Sequence, residues 1–240
     1  LLLAGIDFDH QGLLNSICDA WPEMQLIGCT TDGEISSVLA FQQDSVSLML
    51  FCTDSSIRIG AGIGTAVAAD PDRAAREAIE RAQTGATNEI RLCLTVPESL
   101  TADSGEILQG LQRALPGKVP IVGGLAADRW QFETTYQFYG REVHSDAVPV
   151  LVFSGDLRCA HGVASGWHPI GNPGTVTRAE RNTVFEIDGE PALKYYRSYL
   201  GDHEPSSNYP LVVFTEGDQF YLRAPNGEFD EEAGSVGFFA

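Results

Sequence analysis

Leu26-Ile27-Gly28-Cys29-Thr30-Thr31-Asp32-Gly33-Glu34 opens as a buried strand and runs at once into small hydroxyls, two glycines and two carboxylates. In an α/β protein, ligands gather where an apolar strand gives way to small polar residues. Read alone, the stretch is also what an ordinary turn looks like. The chain then writes a second version, Pro120-Ile121-Val122-Gly123-Gly124-Leu125-Ala126-Ala127-Asp128. Again an apolar run meets glycine, small residues and aspartate.

Working outward, the first half of the chain reads as strand, helix and three strands. Leu1–Ile6 is an apolar run typical of a buried strand. A helix carries Leu13, Leu14, Ile17 and Cys18 on one face, started by Asp9 or Asn15 and ended at Trp21-Pro22. Strands follow at Gln25–Cys29, Ser45–Cys52 and Ile57–Ile63. Asp70 then caps a helix with Pro71 in its first turn and Gly85 just past its end. The pattern restarts with a strand at Ile90–Val96 and a helix at Gly105–Leu115. Ala114-Leu115-Pro116, Val122-Gly123, Val148–Phe153 and the pair Gly162 and Gly166 echo earlier residues in order, about 94 to 102 positions on. The growing offset places extra residues in Trp130–Asp146, where Thr134–Tyr139 reads as an added or longer strand. The expected fold is therefore α/β (mixed α+β), with two mixed sheets built from a duplicated β-α-β-β-β unit. The copies span about 1–85 and 90–166, with Gly28 matching Gly123 and Gly60 matching Gly162. Each copy leaves one sheet face bare, so two would pack together. A partial α+β region, 167–240, holds a hairpin around Ala179–Asn182, a helix opened by Asp188-Gly189-Glu190-Pro191 and closed by Gly201, and further strands to Ala240.

Composition narrows the function. The chain has 240 residues, ample for a core, and a net charge of −18 with no basic stripe. Phosphate backbones and anionic lipid demand clustered Lys and Arg, so neither nucleic acid nor membrane is an expected partner. No apolar run approaches a membrane span. Five scattered cysteines without a C-x-x-C pair argue against a disulfide framework and fit a reducing cytoplasm. Five scattered histidines form no metal motif, so no metal site is expected. Gly60-Ala61-Gly62-Ile63-Gly64 has the wrong spacing for a dinucleotide loop and fits close backbone packing. Cys29 would need a positioned histidine to act as a nucleophile, and a small residue packing at a strand end explains it more simply. No catalytic constellation is expected. Trp167 and Thr175-Val176-Thr177-Arg178 are further polar-aromatic candidates.

At this point a resemblance enters. Ile27-Gly28-Cys29-Thr30-Thr31-Asp32-Gly33-Glu34-Ile35 resembles a hallmark of the N-terminal part of the FIST domain, an intracellular sensory domain. Gly166–Gly171, Val176–Ala179, Glu186–Leu193, Tyr199–Gly201, Tyr221–Arg223 and Asp230–Gly237 resemble the start of its C-terminal part. The division would be 1–166 and 167–240, the latter truncated. Asp32 stands where the family usually has alanine, and His168 where it often has a basic residue. The resemblance implies a cytoplasmic sensor of a small ligand such as an amino acid, coupled to a signalling output module or histidine kinase. It also implies an alternative, a haem-binding nitric-oxide sensor, for which five histidines leave the axial ligand open; separately, Cys29 itself leaves a cysteine hydrolase as a further alternative. No resident cofactor is otherwise expected. The expected ligand residues are Gly28, Cys29, Thr30, Thr31, Glu34, Gly123, Gly124, Asp128, Trp167 and Arg178. Thr30, Thr31 and Arg178 would meet a carboxylate, Glu34 or Asp128 an ammonium, and Trp167 would close over the ligand.

Overall fold

The structure, a computed structural model, describes residues 1–54, 56–83, 89–162, 164, 166–214 and 220–239. The chain packs as two units, Leu1–His161 and Gly162–Ala240. The division falls a few residues before the expected 166/167.

In the first unit, strands β1 (Leu2–Gly5) and β2 (Ile27–Thr31) lie side by side and parallel, joined by helix α1 (His10–Ala20). Asp9 caps α1 by accepting from the Gly12 N–H at 3.0 Å, and Trp21 ends it. β3 (Glu34–Ser36) and β4 (Ala40–Gln42) form a separate hairpin. β5 (Val46–Leu48) adds antiparallel to β1. The expected Ser45–Cys52 strand pairs over only its first part, with Ser45 and Met49 bonding to Gly5 and Leu1 at the two ends of β5, because β1 is short. β6 (Ile57–Thr65) and helix α2 (Pro71–Ala82) come next, the helix capped by Asp70 with Pro71 in its first turn. The expected stop at Gly85 lies outside the described residues. β7 (Ile90–Thr95), helix α3 (Ser104–Ala114) and β8 (Ile121–Gly123) make a second parallel pair with its crossover helix. β9 (Gln137–Tyr139), β10 (Glu142–His144) and β11 (Ala147–Gly155) complete the unit.

Two mixed sheets result, in the orders β10-β9-β2-β1-β5 and β6-β11-β7-β8. The mixed α/β class is as expected. Strand alternation explains the layering. Leu2 and Ala4 face α1 with Leu14, Ile17 and Phe138. Val148, Val150 and Val152 face α2 and α3 with Ala78, Ile107 and Leu111. The opposite faces meet each other through Ile27, Cys29, Ala61, Val96, Leu151 and Phe153. The unit is a helix, two sheets face to face, and a helix pair.

The two parallel pairs are built alike. α1 and α3 each have 11 residues and start behind Asp9 and Asp103. Gly28 pairs with Leu2 and Gly123 with Thr95, and in each case a Cβ would overlap the partner's carbonyl oxygen. Gly60 and Gly162 do not correspond. Gly60 lies within β6, whereas Gly162 is outside any strand and begins the second unit. Nor does each half keep to its own sheet. β6 joins β11 and α2 packs on that second sheet, while β9 and β10 extend the first.

The reason for Gly60-Ala61-Gly62-Ile63-Gly64 is now plain. Cβ atoms at Gly64, Gly62 and Gly60 would strike the carbonyl oxygens of Ala74, Ala78 and Ala82 in turn. Two residues of strand advance about 6.7 Å and four of helix about 6 Å, so every second strand position meets every fourth helix position. Glycine on one side and alanine on the other let α2 lie directly on β6.

In the second unit, β12 (Val176–Glu180) and β13 (Thr183–Ile187) form the expected hairpin, turning at Arg181-Asn182. β14 (Glu190–Pro191) leads into helix α4 (Ala192–Leu200). Pro191 takes the cap position without a side-chain cap bond, and the Asp188 carboxylate accepts from the Thr175 N–H at 2.8 Å. Gly201 closes the helix with φ +63°. β15 (Leu211–Phe214) pairs with β16 (Phe220–Arg223), and β17 (Pro225–Asp230) and β18 (Ser235–Phe238) join β13. Ile187, Leu193, Tyr196, Val236 and Phe238 form its core. Among the described residues, no helix is long and apolar enough to cross a membrane.

Candidate functional site

The hallmark residues sit deeper than expected. β2 runs to Thr31, two residues beyond the anticipated end at Cys29, because it is paired on both sides, with β1 and β9. Cys29 is therefore inside a central strand, its side chain between the two sheets. Burial, with the Glu34 carboxylate adding to it, pushes its thiol up to about 12. Among the described residues no histidine hydrogen-bonds to its sulfur. A thiol so held is neither ionised nor exposed at neutral pH, and a nucleophile needs both.

Thr30 is fully buried and serves the backbone. Its N–H donates to the Tyr136 carbonyl at 2.9 Å, and its Oγ1 accepts from the Tyr136 N–H at 3.1 Å. Thr31 Oγ1 and Ser45 Oγ donate to the two oxygens of the buried Glu34 carboxylate, one each.

The second hallmark crosses to meet the first. After Gly123 and Gly124 the chain passes the ends of both parallel pairs. The Ala126 N–H donates to Pro97 O and the Ala127 N–H to Thr30 O, each at 2.9 Å. Asp128 then folds the following turn around itself. Its carboxylate accepts from the N–H groups of Phe132 at 3.1 Å, Glu133 at 2.7 Å and Thr134 at 3.2 Å. Burial opposes its charge, but the Glu133, Phe132 and Thr134 donors outweigh that and hold its carboxyl below the usual range.

Thr30, Thr31, Glu34 and Asp128 thus gather at one end of the sheets, their polar atoms engaged with each other and with backbone. Gly124 borders open space. Trp167 and Arg178 belong to the second unit. Trp167 is half exposed. Arg178 pairs with Glu186 at 3.1 Å and lies over the Phe185 ring.

The sequence reading missed the residue at the centre of this end, Arg129. Its guanidinium pairs with Asp44 at 2.9 Å and with Asp7, which follows β1. Its main-chain N–H donates to Asp32, which follows β2, at 2.7 Å. Nε is buried with no hydrogen-bond partner among the described residues. Arg129, Trp130 and Phe132 have φ of 59°, 61° and 55°, a conformation costly for bulky residues. Trp130 and Phe132 stack edge to face at 5.9 Å and are largely exposed. The Asp128-Arg129-Trp130 triplet directly after the second hallmark was the available signal. The missed Glu98 is fully buried and accepts from Thr135 Oγ1 at 2.8 Å and the Leu100 N–H at 2.6 Å, fixing the ends of β7 and β9. Among the described residues, no group of three or more His, Cys, Asp or Glu is placed to hold a metal.

A family model described as FIST N domain matches residues 1–190. The chain is also 33% identical over 129 residues to the uncharacterized protein MJ1623 of Methanocaldococcus jannaschii, a match covering 52% of this chain and 25% of that relative. The chain therefore spans about a quarter of that relative's length.

Proposed function

The chain belongs to the FIST family, a family of sensory domains, and from that premise we propose that it binds a small zwitterionic metabolite of the amino-acid class at the carboxyl ends of β1 and β2. The observation that carries this reading is the Arg129 guanidinium. It sits where open α/β sheets place ligands, with a buried Nε donor that no described residue satisfies. A guanidinium presents a planar fork matched to a carboxylate. Asp7 and Asp44 are largely exposed and sit beside it, able to take an ammonium once the ligand carboxylate replaces them on Arg129. Thr30, Thr31, Glu34 and Asp128 act behind this surface by fixing the strands and the turn that present it.

The signal passes to an output module, a kinase or another signalling domain, through the 128–132 turn. That turn combines backbone strain with ligand-exchangeable ion pairs, the combination that lets a small ligand shift a conformational equilibrium. A thermal-shift and calorimetric screen of the amino acids tests the reading. A stabilising amino acid whose affinity falls about tenfold or more in Arg129→Ala supports it. Equal affinity in wild type and Arg129→Ala removes this site.

A further inference from the structure

At the opposite end of the second sheet, the starts of β7 and β8 and the segment after β11 enclose an open cavity of about 400 Å3. Arg91, Lys118 and Arg158 line it, against a single carboxylate, Glu89. That carboxylate is already paired with Arg91 at 3.2 Å. Among the described residues neither Lys118 nor Arg158 takes part in an ion pair, in a chain with 33 acidic and 15 basic residues. The cavity also borders Gly117, Lys118 and Val119, whose N–H groups make no hydrogen bond among the described residues. Pro116 and Pro120 bracket this loop and restrict its backbone.

We propose that this cavity is a second ligand site, one that takes a small phosphate-bearing anion. Three cations and three successive free N–H donors around one concavity match a phosphate, which accepts from many directions at once. A simple carboxylate would leave most of those donors unused. The volume lies within the range of small-molecule sites and leaves room for an organic body beyond the phosphate. A net charge of −18 repels anions from the surface as a whole, so a phosphate held by this protein needs a local site. The site lies at the amino ends of the parallel strands, away from Arg129, and the inference does not depend on the reading of that end.

Calorimetric titration of the whole chain with inorganic phosphate and with glycerol 3-phosphate, at low ionic strength, tests the proposal. Saturable one-site binding is expected. Lys118→Ala and Arg158→Ala should each weaken it about tenfold, with the fold unchanged by circular dichroism. Arg113→Ala, a surface arginine outside the cavity, should bind as wild type. Tighter binding of the ester identifies a phosphorylated metabolite, and equal binding identifies the free ion. Absence of saturable binding, or variants that bind as wild type, overturns the proposal.

Discussion

Gly62 of β6 lies so close to Ala78 of α2 that a Cβ on the glycine would overlap the alanine's carbonyl oxygen. Backbone cannot yield as a flexible side chain can, so Gly62→Ala should lift the helix and cost about 3 kcal/mol. Gly124→Ala, which meets nothing within 4 Å, serves as the control and should change stability by less than about 0.5 kcal/mol. Urea melts of the two variants decide it. Similar midpoints would mean that the helix does not rest on the strand as described.

Asp32 should act on one turn rather than on the fold. Its carboxylate accepts the Arg129 N–H at 2.7 Å, so Asp32→Ala leaves that donor without its partner. Amide exchange at Arg129 should quicken about tenfold, the equivalent of about 1.4 kcal/mol of local stability. Exchange in β11 should not change. An unaltered Arg129 amide would show that Asp32 does not hold the turn.

The cysteines should divide by access and ionisation. Cys52 and Cys159 are exposed, whereas Cys18, Cys29 and Cys93 are buried. Burial pushes Cys93, like Cys29, up to about 12. At pH 8 only about one in ten thousand of such thiols is ionised, before access is considered. Iodoacetamide on the native protein should therefore modify two sites quickly and leave three until unfolding. Rapid modification of Cys29 would reopen nucleophilic chemistry there.

Asp128 should give the protein a stability component that depends on acid. Its carboxyl is held below the usual range in the folded state, so the unfolded chain takes up the proton first. Its contribution is complete above the ordinary carboxylate pKa of about 3.9 and disappears as pH falls through the lower folded value. Asp128→Asn should cost about 2 kcal/mol at pH 7 and markedly less at pH 2.5. Chemical denaturation at both pH values checks this. An equal loss at each would mean that the charge of Asp128 contributes nothing.

The helices and most strands of the first unit were legible because their signals are local. Asp9 and Asp70 cap where cap residues should, and Val148–Phe153 reads as the buried strand it is. The sheets were not legible, because partner choice is long-range. Nothing in Ile57–Ile63 says that it pairs with β11 rather than beside β5. Around the two hallmarks the residue types were legible, but the partners they take were not. Thr30 and Asp128 look like ligand donors and acceptors in sequence, yet such groups satisfy nearby backbone equally well, and here they do. Arg129 carried no periodic signal beyond its place after the second hallmark, and its setting arises from three aspartates on separate loops that meet only in three dimensions.

The pairing of β6 with β11 bears on how the chain is made. A ribosome delivers β6 and α2 well before β11, so a nine-residue strand with three glycines waits without its neighbour while about ninety residues are added. No early folding of the amino-terminal half can relieve it, since both sheets draw strands from both halves. A nascent chain stalled near residue 120 should therefore remain protease-sensitive throughout β6, and protection should arrive in one step as Ala147–Gly155 clears the exit tunnel.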